Sequence, residues 1–156
     1  MKKVFQWIIV GVFLTTLSAC DTNRIFDEYK PIPERCWQKD SLVTFSIPVT
    51  DTIQNHNLYI NIRNDINYPF SNLWVFVKIE QPGGTAIRDT FEIALADVAG
   101  KWLGEGFSGL KTREVIYRRN VYFPNSGIYK ISIQQGMRED NLHGISDVGF
   151  RFETVK

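Results

Sequence analysis

Two cysteines, two histidines and two methionines are all that this 156-residue chain holds of the soft or imidazole side chains. Two cysteines cannot staple so long a chain, since small secreted domains held by disulfides use several pairs. Two histidines without metal-ligand spacing exclude a zinc site announced by sequence. An excess of charge is also missing, with 18 basic against 17 acidic residues. No global field therefore attracts phosphates, and nucleic-acid binding by charge is excluded. The longest apolar run, from Phe5 to Leu17, spans roughly 20 Å as a helix, well short of the ~30 Å hydrocarbon core of a bilayer. There is no G-x-S-x-G elbow, no Cys-x-x-Cys, no internal repeat and no low-complexity segment. What remains, 44% hydrophobic and 13% aromatic, is enough for one domain with its own core.

The N-terminus is the most informative segment. Lys2 and Lys3 precede the apolar run, which ends in Leu17-Ser18-Ala19-Cys20. A charged start, a short apolar stretch and small residues before a cysteine read as a lipoprotein signal peptide over residues 1–19. The Cys20 thiol is the expected lipid attachment point, with acyl chains such as palmitate completing the anchor. Stable anchoring takes at least two membrane signals, which a diacylglyceryl thioether with a third chain supplies. Removing residues 1–19 takes Lys2 and Lys3 with it and leaves 16 basic against 17 acidic residues. Cys36 is then the remaining thiol, expected as a packed or semi-exposed side chain with no histidine near it in sequence.

Residues 20–40 are polar and contain Pro31 and Pro33, so they read as a lipid-attached tether in which Ile25, Phe26, Tyr29 and Trp37 touch the domain. Twenty extended residues would span at most ~70 Å. From Ser41 the pattern changes to period two, the signature of half-buried strands. Val43, Phe45 and Ile47 alternate with Thr44 and Ser46, and Leu58, Ile60 and Ile62 with Tyr59, Asn61 and Arg63. Leu73, Val75, Val77 and Ile79 alternate with Trp74, Phe76, Lys78 and Glu80. Pro82-Gly83-Gly84 marks a turn before Ile87–Leu95. Further strands are expected over Val115–Phe123, around Tyr129, Ile131 and Ile133, and around Val148, Phe150 and Phe152, with a polar loop from Gly136 to Gly144. Seven or eight strands with polar turns and no long helical period predict an all-β domain over 41–156, an antiparallel β-sandwich with Greek-key or jelly-roll connections.

Chemistry is sparse in this pattern. His56 and His143 read as solvated turn residues. Asp89, Glu92, Asp97, Glu105 and Glu114 fall in turns or on polar strand faces, where charges are solvated rather than paired for glycoside hydrolysis. Glu139-Asp140-Asn141 offers hard oxygen ligands, but only three adjacent ones. Catalytic residues, cofactors and metals are therefore not expected. The strand around Trp74 is apolar on both sides. Its second face is expected either to be covered, for example by the 20–40 arm, or to form with Tyr59 a platform for a protein or a sugar ring. Trp74 and Phe76, and Arg118 and Arg119 beside Tyr117, are the candidate partner surface.

The stretches ACDTNRIFDEYKPIP, KDSLVTFSI, NLYINIRNDINYPFSNLWVFV, YFPNSGIYKISIQQGMRED and GISDVGFRFE, in that order, resemble the gliding-motility lipoproteins of the Bacteroidota, the GldH family. The resemblance covers essentially the whole mature chain. It implies a non-enzymatic cell-envelope lipoprotein needed for gliding. It also implies an accessory or assembly role in the gliding machinery, which shares components with type IX secretion, exercised through contacts with other envelope proteins. Cys20 is the one functional residue that transfers by motif. Asp21-Thr22-Asn23-Arg24 lacks the acidic cluster associated in this phylum with export to the surface, so the expected location is the outer membrane facing the periplasm. The competing reading is a lipid-anchored carbohydrate-binding module that uses Trp74 or Trp102 to present polysaccharide. The sequence sets no oligomeric state.

Overall fold

A computed structural model describes residues 23–155. The signal peptide and Cys20 lie outside the described residues. Ten strands follow in order: β1 (Arg24–Pro31), β2 (Cys36–Gln38), β3 (Val43–Val49), β4 (His56–Asp65), β5 (Asn72–Glu80), β6 (Ala86–Ala94), β7 (Leu110–Val121), β8 (Gly127–Gln135), β9 (Asn141–His143) and β10 (Ile145–Thr154). One 3-10 turn, Pro33–Arg35, separates β1 from β2.

The alternation read from the sequence is the alternation of the core. Phe45 and Ile47 on β3, Leu58, Ile60 and Ile62 on β4, and Leu73, Val75 and Val77 on β5 are buried, as are Ile131, Ile133, Phe150 and Phe152. Each strand shows one apolar face, so two sheets must close on each other to remove both faces from water. The first sheet has the order β1-β10-β4-β7 and the second β3-β8-β5-β6, with β2 and β9 forming a separate two-stranded ribbon. All pairings are antiparallel. With the short ribbon set aside, the eight long strands follow the strand order of a jelly roll, which selects between the two connections expected from the sequence.

The segment expected as a tether is part of the domain. Residues 24–31 pair with β10 in a register from Arg24↔Glu153 to Pro31↔Asp147. Ile32 and Trp37 are buried, and the Trp37 indole N–H donates to the Ser41 carbonyl at 3.0 Å. The physical reason is an edge: without β1, β10 would present a row of unpaired backbone groups. The Tyr29 ring also lies over Gly149, where a Cβ would meet it at 2.9 Å. The polar loop expected from Gly136 to Gly144 likewise contains a strand, β9, paired with β2.

The two outer faces differ. That of the first sheet is closed by its own side chains, with the Arg63 guanidinium 5.1 Å from the Tyr29 ring centroid and Arg151 5.3 Å from that of Tyr59. Arg151 also pairs with Glu114 and Glu153. Among the described residues no strand covers the outer face of the second sheet, and the chain at Lys39 and Leu42 reaches only its edge.

Candidate functional site

The outer face of the second sheet is laid out by register. Phe76 on β5 stands between Thr90 on β6 and Gln134 on β8, and the next row holds Arg88, Lys78 and Ser132. Ser132 continues the row to Thr44 on β3, the two hydroxyls 3.2 Å apart. Trp74 lies opposite Glu92, whose carboxylate accepts a hydrogen bond from Asn72 at 2.6 Å. Trp74 is 39% and Phe76 47% exposed. Residues 20–40 reach this face only at its edge, where the Gln134 amide donates to the Lys39 carbonyl at 2.6 Å, because most of them are spent on β1 and β2.

The aromatic pair is held from below. The Gly136 N–H donates to the Trp74 carbonyl at 2.7 Å, and the Trp74 N–H donates to the Met137 sulfur at 3.3 Å. A Cβ at Gly136 would stand 3.3 Å from the Phe76 ring, so the absence of a side chain there lets the ring settle over the backbone. A groove of about 730 Å³ runs past Leu42, Phe76, Lys78, Arg88, Thr90 and Gln134. A smaller one of about 350 Å³ lies beside Phe70, Trp74, Met137 and Arg138. The arrangement combines flat apolar rings with hydrogen-bonding groups whose positions are fixed by sheet register.

Arg118 and Arg119 are not part of this face. Both lie near the end of β7, in the other sheet. The Arg118 guanidinium donates to Asp89 at 2.7 Å and so ties β7 to β6, while Arg119 is exposed. Tyr117 donates its hydroxyl to the same Asp89 carboxylate at 3.2 Å. Hydrogen bonding from Arg118 holds the Asp89 carboxyl below the usual carboxylate range. Tyr59, grouped with Trp74 by sequence alternation, lies on the opposite sheet and donates its hydroxyl to Glu153. Trp102 is half-buried against the core, tied by a bridge to Ala96.

His56 is the clearest departure from the sequence reading. It opens β4 and is fully buried, stacked 4.5 Å from Phe152 and edge-on to Phe123 at 5.6 Å. Neither ring nitrogen makes a hydrogen bond of ordinary geometry within the described residues. Burial lowers its pKa from the usual 6.5. Above pH 6.5 the imidazole is neutral in folded and unfolded chains alike. Below it the unfolded chain takes the proton first, so stability falls until the folded-state pKa is passed. Urea midpoints are expected to drop between pH 7 and pH 5, and His56→Phe is expected to flatten that slope. Asp51, Glu80 and Asp89, whose pKa values are lowered, act in the acid range below this window.

His143, expected in a solvated loop, sits on β9 directly opposite Cys36, with the Cys36 sulfur 3.8 Å from its Nε2. Sequence reasoning missed this pair because 107 residues separate the two. The acidic candidates stay apart: Glu114 pairs with Arg151, and Asp97 accepts the Ala99 and Lys101 N–H groups of its own turn. Asp140, from the Glu139-Asp140-Asn141 run, pairs with Lys39 at 3.1 Å. No group of three His, Cys, Asp or Glu side chains suited to a metal ion occurs among the described residues. No helix among them is long and apolar enough to cross a membrane.

Solved structures with a similar arrangement are distant in sequence. A family GH115 4-O-methyl-α-glucuronidase matches 88% of this chain with 18% of its own, at 12% identity and a TM-score of 0.45. A cellulose-specific carbohydrate-binding module, CBM28, matches 82% of this chain with 71% of its own, at 9% identity and a TM-score of 0.43. Sequence relatives are much nearer. A gliding motility lipoprotein GldH homolog from Christiangramia forsetii is 42% identical over 98% of both chains. The gliding motility lipoprotein GldH of Flavobacterium johnsoniae is 43% identical over 88% of this chain and 89% of its own. The family model of the GldH lipoprotein matches residues 24–152, from the first residue of β1 into β10. With the family spanning the whole sandwich and its relatives nearly the whole chain, this protein belongs to the GldH lipoprotein family.

Proposed function

We propose that this chain is a non-enzymatic gliding-motility lipoprotein, anchored through Cys20 in the outer membrane and facing the periplasm. In this reading it serves the gliding and type IX secretion machinery by holding another envelope protein. The observation that carries the reading is the 42% identity with a gliding motility lipoprotein homolog over 98% of both chains. The exposed Trp74 and Phe76 face supplies the docking surface. Aromatic side chains in a partly apolar groove, rimmed by Lys78, Arg88 and Gln134, have the make-up of an interface centre with a polar rim.

The test is deletion of the gene in its host and complementation with the wild type, with Cys20→Ala and with a Trp74→Ala/Phe76→Ala double variant. Colony spreading and type IX secretion are scored together. Deletion is expected to abolish both, and only the wild type is expected to restore them. The double variant should keep a cooperative thermal transition, because neither side chain belongs to the buried core. Spreading and secretion that survive deletion would overturn the reading. A carbohydrate-binding role is the second reading, favoured by the same rings flanked by Thr90, Ser132 and Gln134. It would be supported by calorimetric binding of an envelope polysaccharide that Trp74→Ala abolishes.

A further inference from the structure

The strand register places one pole of the sandwich around the N-terminus. β1 begins there at Arg24, β10 ends at Thr154, β4 begins at His56 opposite Thr154, and β7 ends at Val121 opposite His56. The second sheet brings Val49 and Gly127 together at the same end, with β5 leaving and β6 entering through the turn at Pro82, whose ring packs on Gly127. The loops 50–55, 81–85 and 122–126 therefore share this pole.

Two observations single it out. First, the chain that links it to Cys20 is very short. The Asn23 carbonyl already accepts a hydrogen bond from the Thr154 N–H at 2.9 Å, so only Asp21 and Thr22 separate Cys20 from the folded sheet. Three Cα–Cα steps reach at most about 11 Å. The headgroup layer on one side of a bilayer occupies about 6 Å of that. Second, its three loops hold little charge, the charged residues Arg24, Glu80 and Glu153 standing at the adjoining strand ends. Asp51 is the one formal charge in its three loops, and its carboxylate accepts the Ile53 and Gln54 N–H groups of the same loop. Ile53 is 87% and Tyr122 56% exposed there, with Ile128 beside them at 58%. Arg119, two residues before the end of β7, is exposed. The opposite pole also exposes Val98 and Phe107, but among Glu34, Arg35, Asp97, Glu105, Arg138 and Asp140 in its loops.

From this we infer that the pole bearing Ile53 and Tyr122 rests on the bilayer that holds the lipid, with both side chains in the headgroup region. The occupant of this surface is the membrane itself. A two-residue link leaves no room for a protein layer between anchor and domain, and a loop set with a single charge, tipped by Ile and Tyr, suits the polar–apolar boundary. Trp74 and Phe76, on a sheet face that runs away from this pole, stay available above it. The inference rests on lipidation of Cys20.

The test uses the lipidated protein in phosphatidylethanolamine/phosphatidylglycerol vesicles. In a Cys36→Ser background, single cysteines are placed at Ile53, Tyr122 and, at the far pole, Val98, which is fully exposed. Each is labelled with an environment-sensitive fluorophore and quenched by lipids carrying nitroxides at shallow depth. Labels at 53 and 122 are expected to be quenched several-fold more than the label at 98. Equal, weak quenching at all three sites in protein that floats with the vesicles would overturn the inference while leaving the anchor intact. Protein that fails to float would overturn the anchor and the inference together. As a second measure, Ile53→Asp should weaken vesicle binding of the unlipidated Cys20→Ser mature chain roughly tenfold. An unchanged affinity would also count against the inference.

Discussion

Deleting residues 24–31 from the mature chain is expected to abolish its cooperative unfolding transition. A tether would be removed without effect, but these residues form an outer strand of the first sheet. Seven register pairs join β1 to β10, and their loss would leave the backbone groups of β10 without partners along one side. The side chains matter as much. Phe26 meets Phe45 edge-on at 6.3 Å, the Lys30 ammonium lies 5.4 Å from the Phe45 ring centroid, and Tyr29 covers Gly149. Without them Phe45 and Phe150 face solvent at the open side of the sandwich. Total stability of a domain this size is only about 5–15 kcal/mol, so losing a whole strand exceeds what remains. Circular dichroism through a thermal ramp would check this. A sigmoidal transition near that of the intact chain would refute the assignment of β1 to the sheet.

Phe45→Ala is expected to lower stability by about 3–5 kcal/mol, the usual range for truncating a buried phenylalanine. Phe45 is fully buried on β3 and meets rings from both the first and the last strand, Phe26 at 6.3 Å and Phe150 at 5.9 Å. Both neighbours are fixed by strand pairing on the opposite sheet, so the cavity cannot collapse by a side-chain shift alone. A denaturant series should show the midpoint falling with the slope unchanged. A loss under about 1 kcal/mol would mean that the two sheets close without this contact.

The strands legible in the sequence were those whose two faces differ. Leu58, Ile60 and Ile62 against Tyr59, Asn61 and Arg63 give both the strand and its inward side. Ile25 to Lys30 gave no such signal, because an outer strand with Asp27, Glu28 and Lys30 pairs by backbone and buries little. Partner choice is also invisible locally, since β1 is matched to β10 across almost the whole chain. His56 was misread because a polar residue next to Asn55 and Asn57 resembles a turn, whereas burial there is set by Phe123 and Phe152. For the aromatic face, alternation placed Trp74 and Phe76 together correctly. It could not separate them from Tyr59, whose strand lies in the other sheet, or show that Arg118 is already engaged by Asp89.

The pairing of β1 with β10 also sets the order in which the molecule can form. Residues 24–31 are synthesised early, yet their neighbours in the sheet, up to Glu153, are among the last to be made. Neither strand can take its final place while the C-terminal residues are still in transit. Contacts this distant along the chain slow folding into the millisecond-to-second range expected of all-β topologies. The sandwich therefore shuts only once residues 145–154 are free to pair with both β1 and β4.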